Sequence, residues 1–427
     1  MTRDRARALD AQDPLAALRD QFDLPPGLIY LDGNSLGALP RTTAARLREV
    51  TEVEWGEGLV RSWNRAGWIE LAQRVGDKIG HLVGAGAGEL VVADSTSINL
   101  YKALSAALDL ARATSPERRV VLSERSNFPT DLYVAASLSG ERGFDLVLVA
   151  ENELLAQLDR RVAVLLLTHV NYRTGRMHDL GATTAAAHAA GAVTGWDLAH
   201  SAGAVPVDLD GSAADFAVGC GYKYLNGGPG APAFVWAHPR HVERVQQPLQ
   251  GWFGHAAPFD FAPGYRPAAG IARFQCGTPP VLQLAALECG VDTVLAAQPL
   301  GGVPALRAKS LALAESFIAG VESRCAGLGL ELVSPRDGAL RGSQVSYRFT
   351  GDGYAVMQAL AARGVIGDFR GGSPAGDPAP LPAILRFGFA PLYNRHVDVW
   401  DAVEQLRQVL ALGEWREDRF QARARVT

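Results

Sequence analysis

Lys223 sits between two tyrosines in ADFAVGCGYKYLNGGPGA (214–231), after the apolar run Phe216–Val218 and ahead of Gly227-Gly228-Pro229-Gly230. Burial at a strand end disfavours the ammonium form, and the neutral amine is a nucleophile that can form a Schiff base. The glycines would let backbone approach something bulky and flat. By itself the stretch reads as a strand-end lysine closed by a tight turn. Upstream, GWDLAHSAG (195–203) puts Asp197 at the end of another apolar run, with His200 three residues on. Carboxyl ends of strands are where open α/β sheets bind ligands.

A carboxylate buried there needs a positive partner to stay ionised, and a protonated pyridine nitrogen would be one. Alone, Asp197 reads as a helix cap. With Lys223 on a later strand of the same sheet it fits a pyridoxal phosphate site, the lysine bonded to the cofactor's C4′ and the aspartate keeping the ring nitrogen protonated. Such a site also needs an anion cup and a ring-stacking group. Asp94-Ser95-Thr96-Ser97 precedes the helical NLYKALSAALDLARA, where free N–H groups and hydroxyls converge. Phe128, in SNFPTD, follows the run RRVVLSE at the same sheet edge, with Asp131 three residues later. An aromatic there could lie on a cofactor face or fill the core.

These positions presuppose a sheet. The runs ELVVA, RRVVLSE, DLVLVA, VAVLLLTHV, AVTGWDL, ADFAVGC and APAFVWA are short and apolar without alternation, and helix-like segments separate most of them. This predicts an α/β fold, a mostly parallel seven-stranded sheet covered by helices. Beyond about residue 280 the pattern becomes helical and then mixed, predicting a smaller α+β C-terminal domain. The expected division is an N-terminal segment 1–50 packing on the small domain, a large cofactor-binding domain 51–280 and a small domain 281–427. GAGAGELVVADSTS superficially suggests a dinucleotide loop. It fails because Glu89 stands where the third glycine should be and a strand follows where a helix is required.

Composition bounds the rest. The chain is 48% hydrophobic and 20% charged, with a net charge of −4 and no Lys/Arg block, which argues against nucleic acid or an anionic membrane as partner. No run approaches membrane-spanning length, and the charged N-terminus lacks the apolar core of a signal peptide. Cys220, Cys276, Cys289 and Cys325 are scattered without metal-ligand spacing. They read as reduced thiols of a cytoplasmic protein.

YLDGNSLGALP, SNFPTD, THVNYRTG, DLAHSAG, GYKYLNGGPG, QGWFGH and RFGFAPLYN together span nearly the whole chain. In that combination the sequence resembles the kynureninases of bacterial type, fold type I pyridoxal phosphate enzymes of the class V aminotransferase-like group. The resemblance implies catalytic roles for Lys223 (Schiff base), Asp197 (ring nitrogen) and Tyr222 (proton relay). It implies cofactor contacts from Thr96, Ser97, Phe128, Pro129, Thr130, Asp131, Thr168, Asp197, His200, Tyr222 and Lys223. Trp252 and Thr278 match positions that reach the cofactor from a neighbouring subunit, implying a homodimer with shared sites. Arg386 matches the arginine that pairs with the substrate's α-carboxylate, a planar fork meeting a planar anion. No metal is implied. The implied reaction is hydrolysis of L-kynurenine to anthranilate and L-alanine. In the animal enzymes a histidine near the substrate ring helps accept the 3-hydroxylated substrate; here WGEGLVRSWN has Gly56 or Glu57 in that place. A cysteine desulfurase or selenocysteine lyase would share the fold and lysine but needs a reactive cysteine on a mobile loop, and RGGSPAGDPAPLP (370–382) has none. A non-catalytic pyridoxal-phosphate-binding regulator would have no need of Arg386.

Overall fold

The seven apolar runs become the strands of one sheet in the computed structural model, which describes residues 2–373, 376 and 380–423. They are β1 (Leu90–Ala93), β2 (Val120–Glu124), β3 (Asp145–Val149), β4 (Val162–Thr168), β5 (Val193–Asp197), β6 (Phe216–Gly219) and β7 (Ala233–Ala237), in the order β1-β7-β6-β5-β4-β2-β3. Neighbours from β6 through β3 run parallel; β7 is antiparallel to both β6 and β1. The reversal has a local cause. A parallel crossover normally contains a helix, and the connection from β6 to β7 has none, so the chain turns back beside the strand it has just left. That helix-free connection carries Lys223.

Every residue of β1, β4, β6 and β7 is buried, as a sheet covered on both faces requires. The long helix Thr96–Thr114 packs on the sheet through a mostly apolar, alanine-rich face that includes Leu100, Ala103, Leu104 and Ala107. In register, Thr168 lies beside Asp197 and Asp197 beside Val218, so the carboxyl ends of β4, β5 and β6 form one edge.

The chain divides into two compact units, one of residues 42–171 and 178–292, the other of 1–41, 172–177 and 293–427. The limits differ from those expected at 50 and 280: residue 50 lies inside a continuous helical segment, and the second division, between 292 and 293, falls within a helix that begins at Val281. Helix Arg41–Glu49 continues into a π-helical stretch, Val50–Gly58, and helix Val281–Leu295 runs through to its end without a break.

The second unit is built on a four-stranded antiparallel sheet of β8 (Leu330–Leu332), β9 (Gln344–Phe349), β10 (Asp368–Arg370) and β11 (Ile384–Gly388), ordered β8-β9-β11-β10. Its core centres on Phe317, whose ring lies 4.7 Å from Phe387 and 5.5 Å from Phe389. The N-terminal segment belongs to this unit. Ile29–Tyr30 pairs in parallel with Val365–Ile366, and Asp10 caps helix His396–Ala411 by accepting from the His396 (2.6 Å) and Val397 (2.9 Å) N–H groups. Residues 374–375 and 377–379 of the glycine- and proline-rich loop lie outside the described residues.

One expectation is corrected. Val281–Leu300 is long and apolar enough by composition to cross a membrane. Half of it is buried in the protein, and its Glu288 and Asp292 pair with Arg74 (3.0 Å) and Lys78 (2.7 Å). The length was missed because glycine and these acids interrupt the apolar run, while the helix gathers the acids onto one face.

Gly290 of this helix abuts the backbone that follows Lys223: a Cβ there would collide with the carbonyl oxygens of Leu225 and Asn226. Gly290→Ala is therefore expected to destabilise by about 1–3 kcal/mol, read as a lowered thermal midpoint. An unchanged midpoint would show that the loop yields without cost.

Candidate active site

The loop from β6 to β7 closes on itself before presenting its lysine. Gly227 N–H donates to Gly221 C=O (2.9 Å), Asn226 N–H donates to Lys223 C=O (3.0 Å), and Asn226 takes the left-handed conformation, φ 56°, that asparagine tolerates. Tyr224 is buried and packs; Tyr222 and Lys223 are half-buried. Lys223 Nζ lies 3.0 Å from His200 Nε2 and 5.8 Å from the centre of the Tyr222 ring. The amine thus has one imidazole within proton-transfer distance.

Asp197, at the end of β5, is almost fully buried, and its Oδ1 accepts from Ala199 N–H (2.8 Å). Its carboxyl is hydrogen-bonded to that of Asp131, also buried, which comes from the first turn of helix Pro129–Arg142. Both acids titrate above the ordinary carboxylate range. Burial is the main cause for each; for Asp131 the charge of Asp197 adds to it, and for Asp197 the charge of Lys223 opposes it. Their mutual hydrogen bond raises Asp131 and lowers Asp197, which assigns the shared proton to Asp131 as donor and Asp197 as acceptor. A protonated ring nitrogen is the kind of group Asp197 lacks, so the donor set fits pyridoxal phosphate.

Two helices start at the same edge. Phe128 caps Pro129–Arg142 without a side-chain bond and is 38% exposed, so it is a surface ring beside Asp131 and not a core phenylalanine. Pro129 and Thr130 form the first turn. Thr168 Oγ1 lies 3.4 Å from Asp131 Oδ2 and also bonds Asn127 Oδ1, whose amide Nδ2 donates to Ser123 Oγ (3.1 Å). The other helix begins at Thr96. Ser95 Oγ accepts from Ile98 N–H (3.4 Å), leaving Thr96 and Ser97 in a first turn whose N–H groups have no intrahelical acceptor. Thr278 is exposed and Trp252 is 37% exposed. Trp252 packs edge-on against Phe253 (4.8 Å) and Phe259 (5.8 Å).

Arg386, in the other unit, is buried on β11 and held there by its neighbours. Its Nη2 donates to Ser35 Oγ (2.7 Å) and lies 2.6 Å from Asp368 Oδ2 in an ion pair, and its Nη1 donates to Tyr172 C=O (2.7 Å). Asn34, with its amide oxygen turned toward the guanidinium, accepts from Nε (2.8 Å). Asp32 nearby is pushed up to about 7 by burial and by the charge of Asp368. Sequence reasoning missed this setting. GNSLG was legible as a motif but its Asn34 and Ser35 had no role, and Asp368 meets Arg386 only through the pairing of β10 with β11.

Residues 306–406 match the family model described as Kynureninase C-terminal domain. Curated proteins named Kynureninase from Burkholderia pseudomallei (strain K96243) and Pseudomonas fluorescens are 55% and 54% identical to this chain over 429 residues, with 100% of both chains covered in each case. Among solved structures, a cysteine desulfurase from Thermococcus onnurineus NA1 is similar with a TM-score of 0.76 at 18% identity, covering 92% of this chain and 97% of its own. A C-DES mutant with glycine covalently linked to its PLP cofactor is similar with a TM-score of 0.78 at 14% identity, covering 91% and 98%. The fold is that of the type I pyridoxal-phosphate-dependent transferase-like group.

A carboxyl group whose pKa is raised by folding favours the native state at low pH, and that contribution is lost as pH climbs from the unfolded value toward the native one. Asp131→Asn supplies a permanent donor to Asp197. Thermal unfolding of the cofactor-free proteins should show the variant matching wild type near pH 4 and gaining on it as pH rises, by up to about 1.4 kcal/mol per pH unit. A variant with no such gain at pH 8 would sink the assignment of the proton to Asp131.

Proposed function

This chain belongs to the kynureninase family, and from that premise we propose that it hydrolyses L-kynurenine to anthranilate and L-alanine with pyridoxal phosphate as cofactor. The likeness to curated kynureninases over the full length carries the reading. The meeting of Lys223, His200, Asp197 and Asp131 at one sheet edge supports it chemically.

When bound, the cofactor supplies an electron sink for the charge that develops at the substrate's α-carbon. Lys223 would hold it covalently, Asp197 would hold its ring nitrogen with Asp131 behind, and Phe128 would cover a ring face. Thr96, Ser97, His200 and Tyr222 would hold it mainly through its phosphate, and Pro129, Thr130 and Thr168 complete the contact set. With substrate in place, the Lys223 amine would take the α-proton at Nζ. Hydrolysis then adds oxygen to the substrate's γ-carbon and hydrogen to its β-carbon. Tyr222, whose ring lies 5.8 Å from Nζ, is the proposed proton relay for these transfers. Arg386 pairs with the α-carboxylate, its fork held in plane by Asn34, Ser35 and Asp368. Gly56 or Glu57, in the place where the animal enzymes carry histidine, is proposed to favour unmodified kynurenine over the 3-hydroxylated form.

Cysteine chemistry is the weaker alternative. Burial raises the pKa of all four thiols, Cys325 to about 11, the opposite of what a sulfur nucleophile needs. All four are unpaired, which supports a reducing, cytoplasmic setting.

A homodimer with shared sites is supported by exposed apolar surface near Trp252. Trp63, Phe253, Trp252, Phe259 and Phe261 form a continuous train of ring contacts, ending with Phe261 at 77% exposure.

Two experiments test these readings. Purified protein with L-kynurenine should release fluorescent anthranilate, and Lys223→Ala should abolish release. A protein that takes up pyridoxal phosphate but yields no anthranilate would retain the cofactor and refute the substrate. Separately, Lys223→Ala and Trp252→Ala, each inactive alone, should recover about a quarter of wild-type activity when co-assembled in equal amounts, because each mixed dimer has one intact site. Mixed dimers without activity, or an active monomer, would refute shared sites.

A further inference from the structure

Lys102 is fully buried in helix Thr96–Thr114, and the roles assigned above do not use it. Lysine is almost never buried without a paired charge. Here Nζ donates to Asp94 Oδ2 (2.7 Å) and to the carbonyl oxygen of Phe274 (2.6 Å). Such a pair is weak evidence of a purely stabilising role, since well-packed apolar residues usually do as well. Its meaning lies in what it grips.

Asp94 is the single residue between the end of β1 and Ser95, the N-cap of the helix. Its backbone is left-handed, φ 46°, a conformation that is strained for a residue with a side chain and persists only where surroundings enforce it. The surroundings are visible. Asp94 C=O accepts from Ala233 N–H (2.9 Å), Asn99 Nδ2 donates to Ala93 C=O (2.8 Å), and the Asp94 carboxylate is held by Lys102 from two turns down the helix. The Cys276 thiol also bonds this carboxylate. Without the ammonium, Asp94 would have less reason to keep its turn, and the turn decides where the N–H groups and hydroxyls of Thr96 and Ser97 point. The second contact joins this turn to another segment. Phe274 leads through Cys276 to Thr278, and Cys276 C=O accepts from Phe253 N–H (3.1 Å), next to Trp252.

We propose that Lys102, acting through Asp94, is a positioning residue that holds the 94–97 turn in the conformation that receives the cofactor's phosphate. The inference rests on the pyridoxal phosphate reading above. It separates from a general stabilising role because it acts on one part of the ligand: pyridoxal has the same aldehyde and ring as pyridoxal phosphate but no phosphate.

The test is titration of cofactor-free protein with each compound, followed by the absorbance of the Lys223 adduct, for wild type, Lys102→Met and Asp94→Asn. Asparagine also tolerates the left-handed backbone, so Asp94→Asn removes the charge with little direct cost to the turn, and it carries the test if Lys102→Met does not fold. The expected result is at least about tenfold weaker binding of pyridoxal phosphate with pyridoxal affinity within about twofold of wild type. Unchanged affinity for both compounds, or an equal loss for both, would overturn the proposal. Wild-type protein that binds neither would instead refute the cofactor reading on which it rests.

Discussion

A carboxylate inside a protein must be compensated, and the seven-stranded unit is arranged around how Asp197 meets that requirement. Its Oδ1 takes the Ala199 N–H, its partner Asp131 supplies a proton, and the charge of Lys223 lowers its potential to protonate. Three elements must arrive together for this: the end of β5, the first turn of helix Pro129–Arg142, and the loop after β6. Replacing water by so few donors works only with good geometry. The same geometry leaves an ionised carboxylate with capacity for one more positive hydrogen-bond donor, which is the property a protonated ring nitrogen exploits.

The delivery of Lys223 depends on a reversal in the sheet. Because β6 and β7 are joined without a helix, the connection stays at the carboxyl edge instead of crossing a face. Its backbone lies so close to helix Val281–Leu295 that Gly290 has no room for a methyl group. The glycines after Lys223 thus serve close packing and loop closure, and Tyr224 is a core residue. Of the two tyrosines flanking the lysine, only Tyr222 remains open to chemistry.

Arg386 shows a different economy. A guanidinium buried with Asp368, Ser35, Asn34 and Tyr172 around it is held rigid in the plane of its fork. Asp32, with its pKa raised to about 7, adds a titrating group beside it near neutrality. Rigid orientation matters for a planar carboxylate, since bidentate pairing rewards alignment more than charge alone.

Much of this was legible in the chain. Apolar runs of strand length separated by helical segments determine a covered parallel sheet, because only that arrangement buries such strands on both faces. Lys223, Asp197 and Phe128 could be singled out because each follows such a run, and run ends collect at one edge. Domain limits were legible only roughly, since composition changes just before helix Val281–Leu295 while the units divide within that helix. Tertiary structure alone decided which groups share protons and which side chains orient others. Asp131 meets Asp197, Lys102 meets Asp94 and Phe274, and Asp368 meets Arg386 through strand register or helix placement. These pairings depend on ångström distances between segments far apart in the chain. Local composition carries the period of an element and not its neighbours.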